Sequence, residues 1–332
     1  MNRALALLAL ALYAAAGLAT DELEARSQAQ RLLLMTSVLP SQAVLAELER
    51  FSDDRSIPLE TREAALRQYV LSLRDEPPDA VNWQAAELLS RYRERALVSH
   101  SHSLQNAVPV HNVAAPARGT LNVWTRKLER SAGELALANQ DYGYFSSLSA
   151  NHMQVVAGAA DALKHAPVQL LEPAIPHLIA AVTREPALAP IMLAAAANLS
   201  DPDLTAVALE FLEGADRFRT VLELDGIIGP DAARAWWLKS LDSGPDQAAA
   251  IAALGRMAAD DPDVSEELFT LMGDADLGAA AALALGKSQA PGLVDRAAEL
   301  LKSDQPMLAA RGRLMLQSHG GRQALQILER QP

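Results

Sequence analysis

From residue 172 to the C-terminus, signals that start helices recur at a near-regular spacing, and this constrains the fold more than any other feature of the chain. Prolines stand at Pro173, Pro186, Pro202, Pro230, Pro245, Pro262, Pro291 and Pro306, and the acidic residues Asp216 and Asp276 fill the two long gaps. Successive starts are roughly 13 to 17 residues apart, the length of one short helix with its turn. Four prolines lie in a shared box: Asp201-Pro202-Asp203, Gly229-Pro230-Asp231, Gly244-Pro245-Asp246 and Asp261-Pro262-Asp263. In such a box the first residue caps, and proline takes the first helical position, where no N–H bond is lost. The acid then meets the positive end of the helix dipole. Short helices of similar length in succession predict a helical repeat array. Each rod is marginal alone in water and is stabilised by packing on its neighbours.

The end of the chain carries a second regularity. Segments beginning at Asp242, Gly273 and Asp304 align without gaps through their first helix, a period of 31 residues. In this register Leu254, Leu285 and Leu316 coincide, as do Ala252, Leu283 and Leu314. Gly255 and Gly286 coincide too, with Gln317 in the last copy. The small residues Ala248–Ala250 and Ala279–Ala282 let neighbouring helices approach closely.

The stretch Leu277-Gly278-Ala279-Ala280-Ala281-Ala282-Leu283-Ala284-Leu285-Gly286-Lys287 resembles the first helix of the short HEAT-like repeats named after phycobilin lyases. The period and the terminal Leu-Gly agree with that family, clearly over the last third of the chain and loosely over the middle third. Family repeats carry an arginine early in this helix, where the three aligned copies have Gln247, Gly278 and Ala309; Arg62 fits the pattern in a more divergent, earlier copy. The resemblance implies an α-solenoid of antiparallel helix pairs. It does not imply lyase activity, because such repeats serve many binding and scaffolding proteins and fold does not fix function.

The first half is less regular. Residues 1–19 read as a signal peptide: a cationic start at Arg3, an apolar run from Ala4 to Ala16, and small residues at Gly17 and Ala19 where a peptidase reads. The run is too short to span a bilayer. Residues 20–98 form an N-terminal helical block, with apolar stripes at spacings of three and four that include Leu32, Val44, Leu48, Trp83 and Leu89. Residues 99–119 break the pattern as a long loop holding Pro109, Pro116 and three of the seven histidines. Long irregular segments inside compact folds lean functional or disordered. Asn112 is a candidate cap for a helix that starts before Gly119. Residues 120–332 form the HEAT-like array.

The chain has no cysteine, so an exported protein of this kind holds together by core burial alone, which favours the bacterial periplasm or the exterior. Thiol catalysis, iron–sulfur clusters and a lipid-anchored N-terminal cysteine are excluded. With 29 basic against 41 acidic residues the charge is −12, and no basic stripe exists, which argues against nucleic acid as a partner.

Few residues point to chemistry. His100, His102 and His111 are candidate metal ligands, since residues two apart in extended chain project to one side. No carboxylate lies in that loop to orient the rings, so a solvated loop, or one docked on a concave face, competes with the metal reading. Trp236 and Trp237 diverge by about 100° on a helix, so one indole faces outward as a binding anchor or both are buried between layers. Tyr142, Tyr144 and Phe145 line a pocket or plug a junction between helical blocks. His152, His165, His177 and His319 read as caps or surface residues. The carboxylate pairs Asp53-Asp54, Asp260-Asp261, Glu266-Glu267 and Asp274/Asp276 fall at helix starts or between helices, where dipole and solvation explain them. No nucleophile elbow, phosphate loop, zinc-protease helix or dinucleotide fingerprint is present.

The sequence therefore predicts an all-α exported protein that binds or scaffolds a protein or peptide through a curved surface, the 99–119 loop, and Trp236 and Trp237. No cofactor is implied, and no transmembrane segment remains after signal cleavage. Two rival readings stay open: a metal-dependent or cofactor-handling enzyme centred on His100, His102 and His111, and a structural subunit of an envelope complex.

Overall fold

A computed structural model describes residues 22–34, 41–99, 107–290 and 292–330. The fold is all-α apart from one two-stranded hairpin, and among the described residues no helix is long and apolar enough to cross a membrane. The predicted signal peptide and Pro291 lie outside the described residues. The described residues form two compact units that divide between Ser131 and Ala132. Unit 1 holds α1 (22–34), α2 (Ser41–Asp53), α3 (Leu59–Leu73), α4 (Ala80–Ser90), β1 (Leu97–Ser99), β2 (Ala107–Pro109) and most of α5 (Ala114–Ala138).

In unit 2, α6 (Gly143–Ser147), α7 (Met153–Lys164), α8 (Val168–Leu171), α9 (Ile175–Arg184) and α10 (Ala189–Leu199) come first. They are followed by α11 (Pro202–Glu210), α12 (Gly214–Leu222), α13 (Asp225–Ile228), α14 (Pro230–Ser240) and α15 (Gln247–Met257). The last five are α16 (Pro262–Leu271), α17 (Gly278–Ser288), α18 (Leu293–Leu300), α19 (Pro306–His319) and α20 (Arg322–Glu329).

The division into 20–98, 99–119 and 120–332 differs from this arrangement. The 99–119 segment is irregular only in part. β1 and β2 pair antiparallel, Leu97 opposite Pro109 and Val98 opposite Val108, and α5 already begins at Ala114. Asn112 Oδ1 accepts from Ala115 N–H at 2.8 Å, as an N-cap does.

The proline boxes hold where the first residue is aspartate. Asp201 accepts from the N–H groups of Asp203 and Leu204, and Asp261 from those of Asp263 and Val264, all between 2.9 and 3.1 Å. At the glycine boxes no side chain caps. Gly229 supplies a positive φ of 84° before Pro230 opens α14. The box at Gly244 departs further, because α15 starts only at Gln247 and Pro245 lies outside it. Asp246 is turned instead into a two-pronged ion pair with Arg217, whose Nε and Nη2 stand 2.7 and 2.6 Å from its oxygens. A long-range partner thus overrides the local capping preference.

Arginines close the other helix ends, where carbonyls lack intrahelical partners. Buried Arg62 donates to the Ser52 and Ile57 carbonyls, and equally buried Arg311 to those of Met272 and Ala275. Arg184 reaches the Ser146 and Leu148 carbonyls, Arg217 that of Leu209, and Arg256 that of Leu222.

The 31-residue register is physical. Helices α15 and α17 pack together, and α17 packs on α19 in turn. A Cβ at Gly255 would lie 2.7 Å from Ala284 Cβ; one at Gly286 would lie 2.5 Å from the Met315 carbonyl oxygen. Both members of the first contact move 31 places to give the second. Gly255→Ala and Gly286→Ala are each expected to cost about 2 kcal/mol through overpacking, whereas Gly119→Ala, with open space around it, stabilises or changes nothing. Urea unfolding of the three variants checks this; equal midpoints would remove the close-approach argument.

Candidate functional site

Unit 1 carries an open recess. A groove of about 910 Å³ runs along one face of α3, from Pro58 and Glu60 through Ala64 to Arg67 and Gln68. Its other walls are Glu22, Glu24 and Ala25 at the start of α1, and Arg95, Ala96, Leu97, Val110 and His111 at the base of the hairpin. The volume is that of a ligand-sized cleft. The lining mixes three carboxylates with two arginines.

Two buried or half-buried glutamates hold the hairpin in place. Glu63, on α3, is fully buried, and its carboxylate accepts from Arg95 N–H at 2.7 Å, from Ala96 N–H at 3.3 Å and from the Tyr92 hydroxyl at 3.4 Å. Such charge-assisted bonds to backbone N–H groups are among the stronger ones. Burial pushes the Tyr92 phenol above its ordinary value, against the opposing pull of Arg95. Arg95 in turn reaches the Ser52 carbonyl at 2.7 Å and Asp53 at 3.3 Å. The strand base is therefore tied to α2 and α3 together.

Glu94 performs the matching task for α5. Its Oε1 accepts from Val113 and Ala114 N–H at 2.9 and 3.0 Å, covering donors at the helix start. Burial pushes this carboxyl up. The N–H bonds from Ala114, its own backbone and Val113, with the charge of Arg118, outweigh that and hold it below the usual glutamate range. A depressed carboxyl contributes stability at neutral pH that is lost as pH falls through its folded value, so the loss sets in below the ordinary 4.5. Glu94→Gln is expected to cost about 1 kcal/mol at pH 7 and progressively less as pH falls below 4.5. Denaturant titrations at pH 7 and below pH 4.5 test this, and a pH-independent cost would contradict it.

The hairpin rises from this base with apolar residues in water. Leu97 is 52% exposed and Val98 49% exposed, and Val108, opposite Val98, is exposed as well. Alternation along a strand sends Leu97 and Val98 to opposite faces, so both faces of the hairpin are apolar.

The other residues singled out by sequence fall as follows. His111 lies on the groove wall, while His100 and His102 lie outside the described residues. Among the described residues no group of three or more histidines and carboxylates is placed to hold a metal. Trp237 is 1% exposed in the unit 2 core and donates from Nε1 to the Val221 carbonyl at 2.7 Å, while Trp236 is partly buried against the same core. Trp237 also edges a recess of about 410 Å³ with Asp225, Arg256, Asp260 and Asp261.

Phe145 is buried and meets Tyr144 edge-on at 5.0 Å; Tyr142 packs beside His177 at 5.7 Å. These rings fill space among Leu137, Leu148 and Leu178. His152 and His165 flank α7, and His319 Nδ1 accepts from Gly321 N–H at 3.2 Å. The carboxylate pairs are engaged: Asp54 with Ser56 and Asp274 with the N–H groups of Asp276 and Leu277 close by in sequence, Asp261 with Arg234 and Glu266 with Arg296 across 27 and 30 positions.

Sequence reasoning missed Glu63, Glu94 and the hairpin itself. The one signal available was the pair of short apolar runs, Leu97-Val98 and Val108-Pro109-Val110, bracketing polar residues. No protein-family model, curated protein or solved structure matches the chain, so the reading of this site rests on its own geometry.

Proposed function

We propose that the protein is an exported binding or scaffolding protein that holds a protein or peptide partner at the hairpin and groove of unit 1. The observation that carries this reading is the hairpin: a two-stranded element, marginal on its own, built onto a helical unit with Leu97, Val98 and Val108 in solvent beside an open groove. Apolar side chains displayed on both faces of a projecting element mark an interaction site. The apolar run after Arg3 supports export to the periplasm or the exterior.

In this reading unit 2 is an α-solenoid of HEAT-like helix pairs that serves as scaffold. Its support is the 31-residue recurrence of the Gly255 and Gly286 contacts, and the packing of α15 on α17 and α17 on α19.

Site-specific photo-crosslinking in the cells that make the protein tests the function. A crosslinker at Val98 is expected to trap one discrete protein adduct that a crosslinker at exposed Glu299 does not trap, and Val108→Asp should abolish it. A smear identical at both positions would end the reading.

A further inference from the structure

We propose that the unit 1 groove takes an extended, basic polypeptide segment, which adds to β1 as a third strand. This deepens the binding reading above and rests on it.

The argument starts from the ladder. Val110 N–H donates to the Ala96 carbonyl at 2.9 Å, which sets the phase of the ladder, while Ala96 N–H turns to Glu63. Antiparallel pairs alternate, so Val98 and Val108 form the next bonded pair, and Leu97 and Ser99 turn their N–H and C=O groups away from β2. On the far edge, Pro109 stands opposite Leu97 and has no N–H to offer, so β2 is blunted at that level. The edge able to receive another strand is that of β1.

Arg95 and Ala96 N–H both end on the Glu63 carboxylate, at 2.7 and 3.3 Å, so the backbone donors just before β1 are taken by α3. The groove opens beyond them: Arg95, Ala96 and Leu97 line it together with Glu60, Ala64 and Gln68 of α3 and with Val110 and His111. Successive side chains along a strand face opposite ways, so a cavity meeting both Ala96 and Leu97 reaches the backbone between them. Main-chain pairing with an open edge plus alternate side-chain pockets is how extended peptides are held.

Charge selects the kind of segment. Glu22, Glu24 and Glu60 line the groove against Arg67 and Arg95; Glu22 is already held by Arg26 at 2.7 Å and Arg95 by Asp53 at 3.3 Å, which leaves Glu24 and Glu60 against Arg67. The balance is negative, so lysine or arginine side chains complement one side of the incoming strand. Leu59, Ala64 and Leu97 receive its apolar ones.

The test uses the purified full chain and fluorescein-labelled nine-residue peptides read by anisotropy. A peptide alternating lysine and valine should bind about tenfold tighter than its glutamate–valine counterpart. Methylating alternate amide nitrogens along one edge should weaken it about tenfold, and Leu97→Pro, which removes the outward-facing N–H together with the leucine side chain, should weaken it at least as much. Glu22→Gln, Glu24→Gln and Glu60→Gln together should erase the preference for the basic peptide. If Leu97→Pro disturbs unit 1 by circular dichroism, the methylated peptide on the unaltered protein decides. Equal binding of the methylated peptide, equal binding of the acidic peptide, or no saturable binding of the lysine–valine peptide would each overturn the proposal. A discrete crosslink at Val98 combined with any of those results removes the strand-addition account alone; a missing crosslink removes the binding reading itself.

Discussion

Trp237→Ala is expected to lower the stability of unit 2 by about 4 kcal/mol. The indole is almost fully enclosed among Val221, Leu254 and their neighbours in the core, and its N–H closes on the Val221 carbonyl at the end of α12. Alanine removes that volume and strands a helix-end carbonyl. Trp237→Phe should recover more than half the loss, because most of the volume returns and only the hydrogen bond stays broken. Trp236→Ala should cost about 1 kcal/mol, since that ring is only partly buried. Urea unfolding followed by far-ultraviolet circular dichroism compares them. Equal costs for the two tryptophans would contradict the assignment of one ring to the core and the other to its margin.

Glu63→Ala is the second large effect, with an expected loss of about 3 kcal/mol from unit 1. The substitution leaves Arg95 N–H, which the carboxylate meets at 2.7 Å, without an acceptor in a buried place, and frees the strand base from α3. Glu63→Gln should be nearly as costly. It keeps the volume but presents an NH₂ group where N–H donors converge. Amide exchange at Arg95 and Ala96, whose N–H groups Glu63 holds, should accelerate in both variants while unit 2 is unchanged. A cost under about 0.5 kcal/mol would mean that the hairpin is held by something other than Glu63.

The legible and illegible parts of this chain separate by the range of the interaction. Helix starts at Asp201 and Asp261 were legible because a cap bonds N–H groups two and three residues on. The 31-residue register was legible because close helix approach demands small residues such as Gly255 and Gly286, and these are written in the chain. The Gly244 box misled because Asp246 has a partner, Arg217, 29 positions away, and that ion pair outweighs a local cap.

The candidate site was harder still. Two strands of three residues carry no periodicity to detect, and the carboxylates that anchor them act across long separations: Glu63 to Arg95 over 32 positions and Glu94 to Val113 over 19. Of the three histidines singled out, His111 is described, and it stands on the groove wall among carboxylates and arginines that no local spacing brings together.

Hydrogen exchange of the full chain, with and without the lysine–valine peptide, tests the account most directly when read amide by amide across β1. The account predicts that the Leu97 amide, outward-facing and open in the free protein, slows at least about tenfold on binding, while Val98, already in the ladder, changes little. An unchanged Leu97 amide at saturating peptide would contradict it.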